Sequence, residues 1–546
     1  MLRFESTPTM YNNSKTIKEY QLQKDLYQWQ KECLAVWWQN GGRGIVNVVT
    51  GAGKTVLALG AIAKLKERFA WGPELKIKII VPKIFLTHQW YQALVTDLRV
   101  PRNEIGIYSG ERRDLNSRPI MIYVVNSARN SFAHHFLEDY RQGFAQLVIA
   151  DECHHYGSLE NSRIFSYLAQ ISRTQLESRY FSLGLSATPQ CETFQEKLVP
   201  ALGQQIFQYG FAEALNDNII SPFSVFNLRL QFNRTEAQQY QEFSDRISRS
   251  LNIFLRLRPS LSRLPRDRFF AVLEQLTREE DDSEEASLAR TIQHYSILRR
   301  DLVHRAEARV SCLRYLITLI PHSSRILIFS ERIELAEEIF RQIEALFPGQ
   351  VGRYHSHLDK QTRKRTLERY NNSELRILVS CRALDEGLDV PATDVGIIAA
   401  SSSSSRQRIQ RLGRILRRSG SPQTAYLYYL YVGASNEEEE LLAEISDKLI
   451  GLIPVVDLDY DQETQSFSEE AYDRLSDHVL DYAQQRNWGQ PIIKELERNL
   501  TLGKIRCDWW IPEKTCLEKI QRATARSERN YWITMRLLIR ASLNRL

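Results

Sequence analysis

Apolar and polar positions follow two regimes along the chain. Over residues 22–233 and again over 321–435, short runs rich in Val and Ile alternate with stretches of helical period. The first region offers strands at Val46–Val49, Ile77–Val81, Ile122–Val125, Leu147–Ala150 and Phe181–Leu185. A helix from Leu26 through Trp38, closed by Gly41-Gly42, precedes the first strand, and one over Leu86–Leu98 follows the second. The second region repeats the pattern at Arg325–Ser330, Arg376–Ser380, Val395–Ala400 and Ala425–Leu430, with a helix over Ile333–Leu346. Runs that are apolar on both faces and separated by helices predict α/β units, each a parallel sheet covered on both sides. Residues 234–320 are charged and helical in period, and residues 436–546 are mainly helical. The expected organisation is a leader (1–21), an α/β unit (22–233), a helical insertion or linker (234–320), a second α/β unit (321–435) and a helical, basic C-terminal domain (436–546).

Composition narrows the class. At 546 residues several domains are expected, and 25% charged residues beside 43% hydrophobic ones describe an ordinary globular chain. No segment has the eighteen or so uncharged apolar residues of a membrane span, and Met1–Tyr20 lacks an apolar signal core. A cytoplasmic protein with no membrane partner is expected. Cysteines 33, 153, 191, 312, 381, 507 and 516 form no C-x-x-C pair, which argues against a zinc site or disulfide framework. The net charge of +6 permits a polyanionic partner without requiring one. Its distribution says more: the segment from Arg498 onward holds 11 Lys or Arg against 4 Asp or Glu, while 279–285 is a compact acidic run, expected to be a surface turn. Trp488, Trp509, Trp510 and Trp532 lie among the basic residues, where they either stack bases or build a small helical core.

The chemistry gathers at strand ends, where α/β sheets bind ligands. The first strand runs into Thr50-Gly51-Ala52-Gly53-Lys54-Thr55 and then a helix. Backbone N–H groups of such a loop bind phosphate oxygens, the Lys reaches the outer phosphates and the Thr hydroxyl ligates Mg²⁺. The fourth strand runs into Asp151-Glu152: Asp151 is placed to hold Mg²⁺ and Glu152 to orient and deprotonate an attacking water. Trp29-Gln30, upstream of the loop, are candidate adenine contacts. Ser186 and Thr188, after the fifth strand, can relay nucleotide state by hydrogen bonding. In the second unit Gln410, Arg414 and Arg417 share one face of a helix. Arginines there either meet a γ-phosphate, an effect of about 10³–10⁵ in rate, or bind the backbone of nucleic acid.

Five motifs stand in order along the chain. They are Gly51-Ala52-Gly53-Lys54-Thr55, Asp151-Glu152-Cys153-His154, Ser186-Ala187-Thr188-Pro189, Ala383-Leu384-Asp385-Glu386-Gly387-Leu388-Asp389-Val390-Pro391 and Gln410-Arg411-Leu412-Gly413-Arg414-Ile415-Leu416-Arg417. This set resembles a superfamily 2 helicase, and more narrowly the branch holding the helicase subunits of type I and type III restriction enzymes and the excision-repair DNA helicases of the DECH type. The likeness covers roughly residues 22–435. It implies two tandem RecA-like domains, with ATP and Mg²⁺ as cofactors. Lys54, Asp151, Glu152, Gln410, Arg414 and Arg417 would be catalytic. Trp29, Gln30, Thr50, Gly51, Ala52, Gly53, Lys54, Thr55, Gly387 and Asp389 would hold nucleotide, with Thr55 and Asp151 on the metal. Ser186 and Thr188 would couple hydrolysis to movement. Pro82, Gln89, Trp90, Asn126, Ser127, His355, Ser356 and Ser380 would grip one nucleic-acid strand by its backbone. Three departures stand out: Val48 in place of the first loop Gly, Tyr27-Gln28 before the aromatic–Gln pair, and Ser380-Cys381 at a strand end where relatives often carry Thr. The expectation is an ATP-dependent DNA helicase or translocase serving restriction, phage defence or repair, with a nuclease or defence-complex protein as a partner. The alternatives are a nucleic-acid-stimulated ATPase that does not unwind, and an RNA helicase.

Overall fold

The computed structural model describes residues 20–542 apart from 70–73, 172–178, 192, 222, 265, 279–282, 382–392, 401–424, 438–452, 507, 509–510 and 512. The chain divides into two compact units, with the change falling after Ile219.

The first unit is built on a seven-stranded sheet, all of whose pairings are parallel. Its strands are β1 (Arg43–Val48), β2 (Leu75–Val81), β3 (Ile105–Tyr108), β4 (Ile120–Val124), β5 (Ala145–Asp151), β6 (Tyr180–Ser186) and β7 (Gln205–Tyr209), in the order β3-β4-β2-β5-β6-β1-β7. Every residue of β2, β4, β5 and β6 is buried, as a central parallel strand covered on both faces requires. One buried charge interrupts β2. Lys78 donates to Asp139 at 2.6 Å and to Asn116 Oδ1 at 3.0 Å, so its ammonium is paired although burial pushes its pKa down.

The second unit has an eight-stranded sheet, ordered β10-β11-β9-β12-β13-β8-β14-β15. These are β8 (Phe223–Leu230), β9 (Ile326–Ser330), β10 (Val351–Tyr354), β11 (Ile377–Cys381), β12 (Val395–Ile398), β13 (Ala425–Val432), β14 (Val455–Asp461) and β15 (Ser466–Ser468). Among the described residues, only the β14–β15 pairing is antiparallel. Two features of this sheet cross the divisions read from periodicity. Strand β8, within 22–233, pairs with β13 and β14 in the second sheet. Strand β14, within the C-terminal segment, pairs with β8 in the same sheet. Sequence order does not reveal such pairing, because a parallel neighbour can come from anywhere in the chain.

Between β8 and β9, helices Arg234–Leu257, Arg266–Arg278 and Glu284–Arg305 form their own small core around Ile247, Phe254, Leu273, Leu276, Ala289 and Ile292. Ser283 caps the last of these through a hydrogen bond from Ala286 N, and Glu284 and Glu285 lie in its first turn. That end of the acidic run therefore meets the positive end of a helix dipole. The C-terminal helices Gln490–Arg506 and Arg526–Ser542 dock on β13. Tyr428 donates to the Ile505 carbonyl at 2.6 Å, and Tyr426 and Tyr531 both donate to Asp508, at 3.0 and 2.6 Å. Trp532 is buried and Trp488 packs against a neighbouring helical core, which fits the core reading of these two rings. Trp509 and Trp510 lie outside the described residues. Among the described residues no helix is long and apolar enough to cross a membrane.

Candidate nucleotide-hydrolysis site

The site assembles at the carboxyl ends of β1, β6 and β5, three adjacent strands. After β1 the chain turns through Gly51 (φ +86°) and Gly53 (φ +99°), and Gly53 is the N-terminal boundary of helix Lys54–Arg68. Both angles are left-handed conformations that glycine reaches without a Cβ penalty. Gln30 braces this turn: its Oε1 accepts from Tyr27 N at 2.8 Å and its Nε2 donates to the Gly53 carbonyl at 2.9 Å. Trp29 is buried and stacks on Tyr209, with ring centroids 4.8 Å apart. The pair expected to meet adenine is thus placed as a core ring and a brace of the loop. Ala52 is buried, whereas Thr50, Lys54 and Thr55 are half-buried.

At the end of β5, Glu152 takes a left-handed conformation (φ +46°), which is uncommon for a residue with a side chain and is characteristic of functional sites. The turn directs Glu152 toward the phosphate loop, where its Oε1 lies 3.4 Å from Lys54 Nζ. Asp151 is held from two directions. Its Oδ2 accepts the indole N–H of Trp90 at 2.8 Å, and its Oδ1 accepts the Glu152 N–H at 3.1 Å. The buried Tyr156 hydroxyl lies 2.7 Å from the Asp151 carbonyl and 3.0 Å from that of Ile80, sharing its one proton between the ends of β5 and β2. On the other side, His154 Nδ1 is hydrogen-bonded to Ser186 Oγ at 2.9 Å and lies 3.6 Å from Glu152 Oε2. Ser186 Oγ also accepts from Thr188 N at 3.0 Å. A continuous polar chain therefore leads from Lys54 through Glu152 and His154 to Ser186 and Thr188.

The two carboxyl groups are driven apart electrostatically. Burial, reinforced by the neighbouring charge of Glu152, pushes Asp151 up to about 6. Burial also pushes Glu152 upward, but Lys54, His154 and His155 together outweigh it and hold this carboxyl below its ordinary value. Adjacent acids with opposed shifts are suited to different chemical roles. The donor set fits a magnesium nucleotide. Glu152 Oε2 is buried and accepts no hydrogen bond among the described residues, and a cation-bearing turn with two left-handed glycines lies beside it.

The other expected residues are more scattered. Pro82 is buried, Gln89 is half-buried, Asn126 is exposed and Ser127 is half-buried. Asn126 accepts from Arg129 at 2.8 Å. Trp90, expected on the strand-gripping surface, is instead buried against Asp151, because its helix turns that position toward the sheet. In the second unit His355 is buried 2.5 Å from Glu337, Ser356 is exposed, and Ser380 Oγ is buried with no partner among the described residues. Gly387, Asp389, Gln410, Arg414 and Arg417 lie outside the described residues. Sequence reasoning missed Tyr156 and the bridging place of His154. His154 carried a signal, being two residues from a site carboxylate, whereas Tyr156 carried none.

Fold and site together define a phosphate-loop nucleotide hydrolase with a second α/β unit. The family model for the type III restriction enzyme res subunit matches residues 23–191, and that for the helicase conserved C-terminal domain matches residues 308–419. The two matches follow each other along the chain, and in carrying both the chain is similar to superfamily 2 helicases, with two tandem RecA-like folds. It is similar to the DNA 3'-5' translocase XPB2 of Sulfurisphaera tokodaii, at 27% identity over 72% of this chain and 79% of that protein. It is also similar to the DNA 3'-5' helicase XPB of Kineococcus radiotolerans, at 23% identity over 77% of this chain. The chain covers 61% of that second protein's length. Among solved structures, a fragment assigned to the HsdR subunit of a type I restriction enzyme from Vibrio vulnificus matches with a TM-score of 0.52 at 17% identity, over 82% of this chain and 71% of that one. The Hef helicase domain of Pyrococcus furiosus matches with a TM-score of 0.50 at 14% identity, over 76% and 97%. These structural likenesses concern the fold.

Proposed function

We propose that the chain is an ATP-dependent motor on DNA, a translocase or helicase. The observation that carries this reading is the joined cluster Lys54–Glu152–Asp151, linked through His154 to Ser186 and Thr188. The loop N–H groups and Lys54 would hold the phosphates, and Thr55 and Asp151 would hold Mg²⁺. When bound, the metal supplies charge neutralisation for phosphoryl transfer. Glu152 accepts a proton from water. Lys54, once turned toward phosphate, no longer neutralises Glu152, whose basicity then rises. His154 and Ser186 register that change in charge and pass it to the Thr188 backbone. Gln410, Arg414, Arg417, Gly387 and Asp389, outside the described residues, also serve the nucleotide in this reading. Gln89, Asn126, Ser127 and Ser356 contact the sugar–phosphate backbone, so sequence preference is weak, whereas Pro82, His355 and Ser380 are buried.

The names of the relatives support DNA as the track. ATPase rate measured against single-stranded, duplex and forked DNA and the matching RNAs tests the reading. Stimulation by DNA is expected, and stimulation by RNA alone would overturn it. A strand-displacement assay on the stimulating substrate then separates unwinding from translocation.

A further inference from the structure

We propose that Trp90 is a positioning residue that ties strand contact to the orientation of the metal carboxylate, an inference that rests on the motor reading above. The indole N–H is aimed at Asp151 Oδ2, 2.8 Å away, from a ring that is 1% exposed. Packing alone does not require that aim. Trp29, in the same unit, is similarly enclosed, and its indole nitrogen has no hydrogen-bond partner among the described residues. With the Glu152 N–H on Oδ1, the two donors fix the plane of the Asp151 carboxyl group. Each oxygen keeps a lone pair for a metal or its waters.

Trp90 sits in helix Ile84–Asp97, which starts just beyond the carboxyl end of β2 and Pro82. Successive helical residues are about 100° apart. A single residue's step therefore carries Trp90 inward to the carboxylate while Gln89 stays half-buried at its side. A hydrogen bond of this length tolerates little displacement: a shift of about 0.8 Å takes it out of range. Any movement of the helix on gripping a strand is therefore transmitted to Asp151. The ring acts as a lever between two functions that in sequence lie 61 residues apart.

Trp90→Phe keeps the buried ring and removes the N–H. With a non-hydrolysable ATP analogue, the apparent Mg²⁺ affinity should fall about tenfold, while analogue binding without metal stays at its wild-type value. Unchanged Mg²⁺ dependence would overturn the proposal. A second measurement uses indole-¹⁵N labelling of the nine tryptophans. The resonance lost in Trp90→Phe should shift when single-stranded DNA is added to the wild-type chain, and a resonance that stays in place refutes the lever. Should Trp90→Phe not fold, Asp151→Asn identifies the same resonance by displacing it. If no nucleic acid stimulates wild-type ATPase, the motor reading fails by itself, and the Mg²⁺ measurement still decides whether Trp90 positions the carboxylate.

Discussion

Replacing Gly53 by Ala probes the brace on the phosphate loop. Two costs are visible. The φ of +99° is left-handed, which costs a residue with a Cβ about 1–2 kcal/mol. The new Cβ would also stand 2.8 Å from Gln30 Nε2. The Gln30 amide would have to move, breaking its bond to the Gly53 carbonyl and leaving a buried donor unpaired, a further cost of about 1–3 kcal/mol. In a Gln30→Ala background the second cost is absent and only the φ term remains. The two substitutions should therefore be coupled by about 1–3 kcal/mol. Thermal unfolding measures this, using the transition that added nucleotide raises, since that transition reports the first unit. For a unit of this size each 1 kcal/mol moves the midpoint by about 2–4 °C. If Gly53→Ala lowers that midpoint equally in both backgrounds, the brace is not what constrains the loop.

Further outcomes concern the site and the second unit. Lys54→Ala should abolish ATP hydrolysis, whereas Glu152→Gln should retain nucleotide binding and lose turnover; steady-state ATPase and equilibrium binding check both. Asp151 is raised to about 6, so it is protonated below that pH. Mg²⁺-dependent nucleotide binding should hold above pH 6 and weaken as pH falls through it, as titrations across that range would show. For stability the sign is opposite: the cost of the ionised Asp151 is fully present above pH 6 and is relieved as pH falls toward the unfolded value. Arg309 is fully buried, ion-paired with Glu437, and donates to the carbonyls of Val303, Ala399 and Leu430. Arg309→Leu should destabilise the second unit by about 3–5 kcal/mol, read from denaturant unfolding.

Both α/β patterns were legible along the chain because a strand buried on both faces must be apolar throughout, whatever its neighbours are. The phosphate loop was legible because its chemistry is local: a left-handed turn needs glycine, and Lys54 and Thr55 follow directly. Asp151-Glu152 were legible by their place after an apolar run. Pairing was not. Strands β8 and β14 enter the second sheet from segments whose own periodicity gives no address, since parallel pairing connects positions far apart in the chain. Nor was the use of individual side chains. Trp90 reads as a surface contact in a motif and proves to be a buried donor to Asp151, and Gln30 reads as a nucleotide contact and braces the loop. The phosphate loop, the acidic pair and the hydroxyls of Ser186 and Thr188 were therefore set by sequence, each through local geometry. Their joining into one polar chain was decided by the order β5-β6-β1. That order sets three strand ends side by side, and only the packed sheet determines which ends are neighbours.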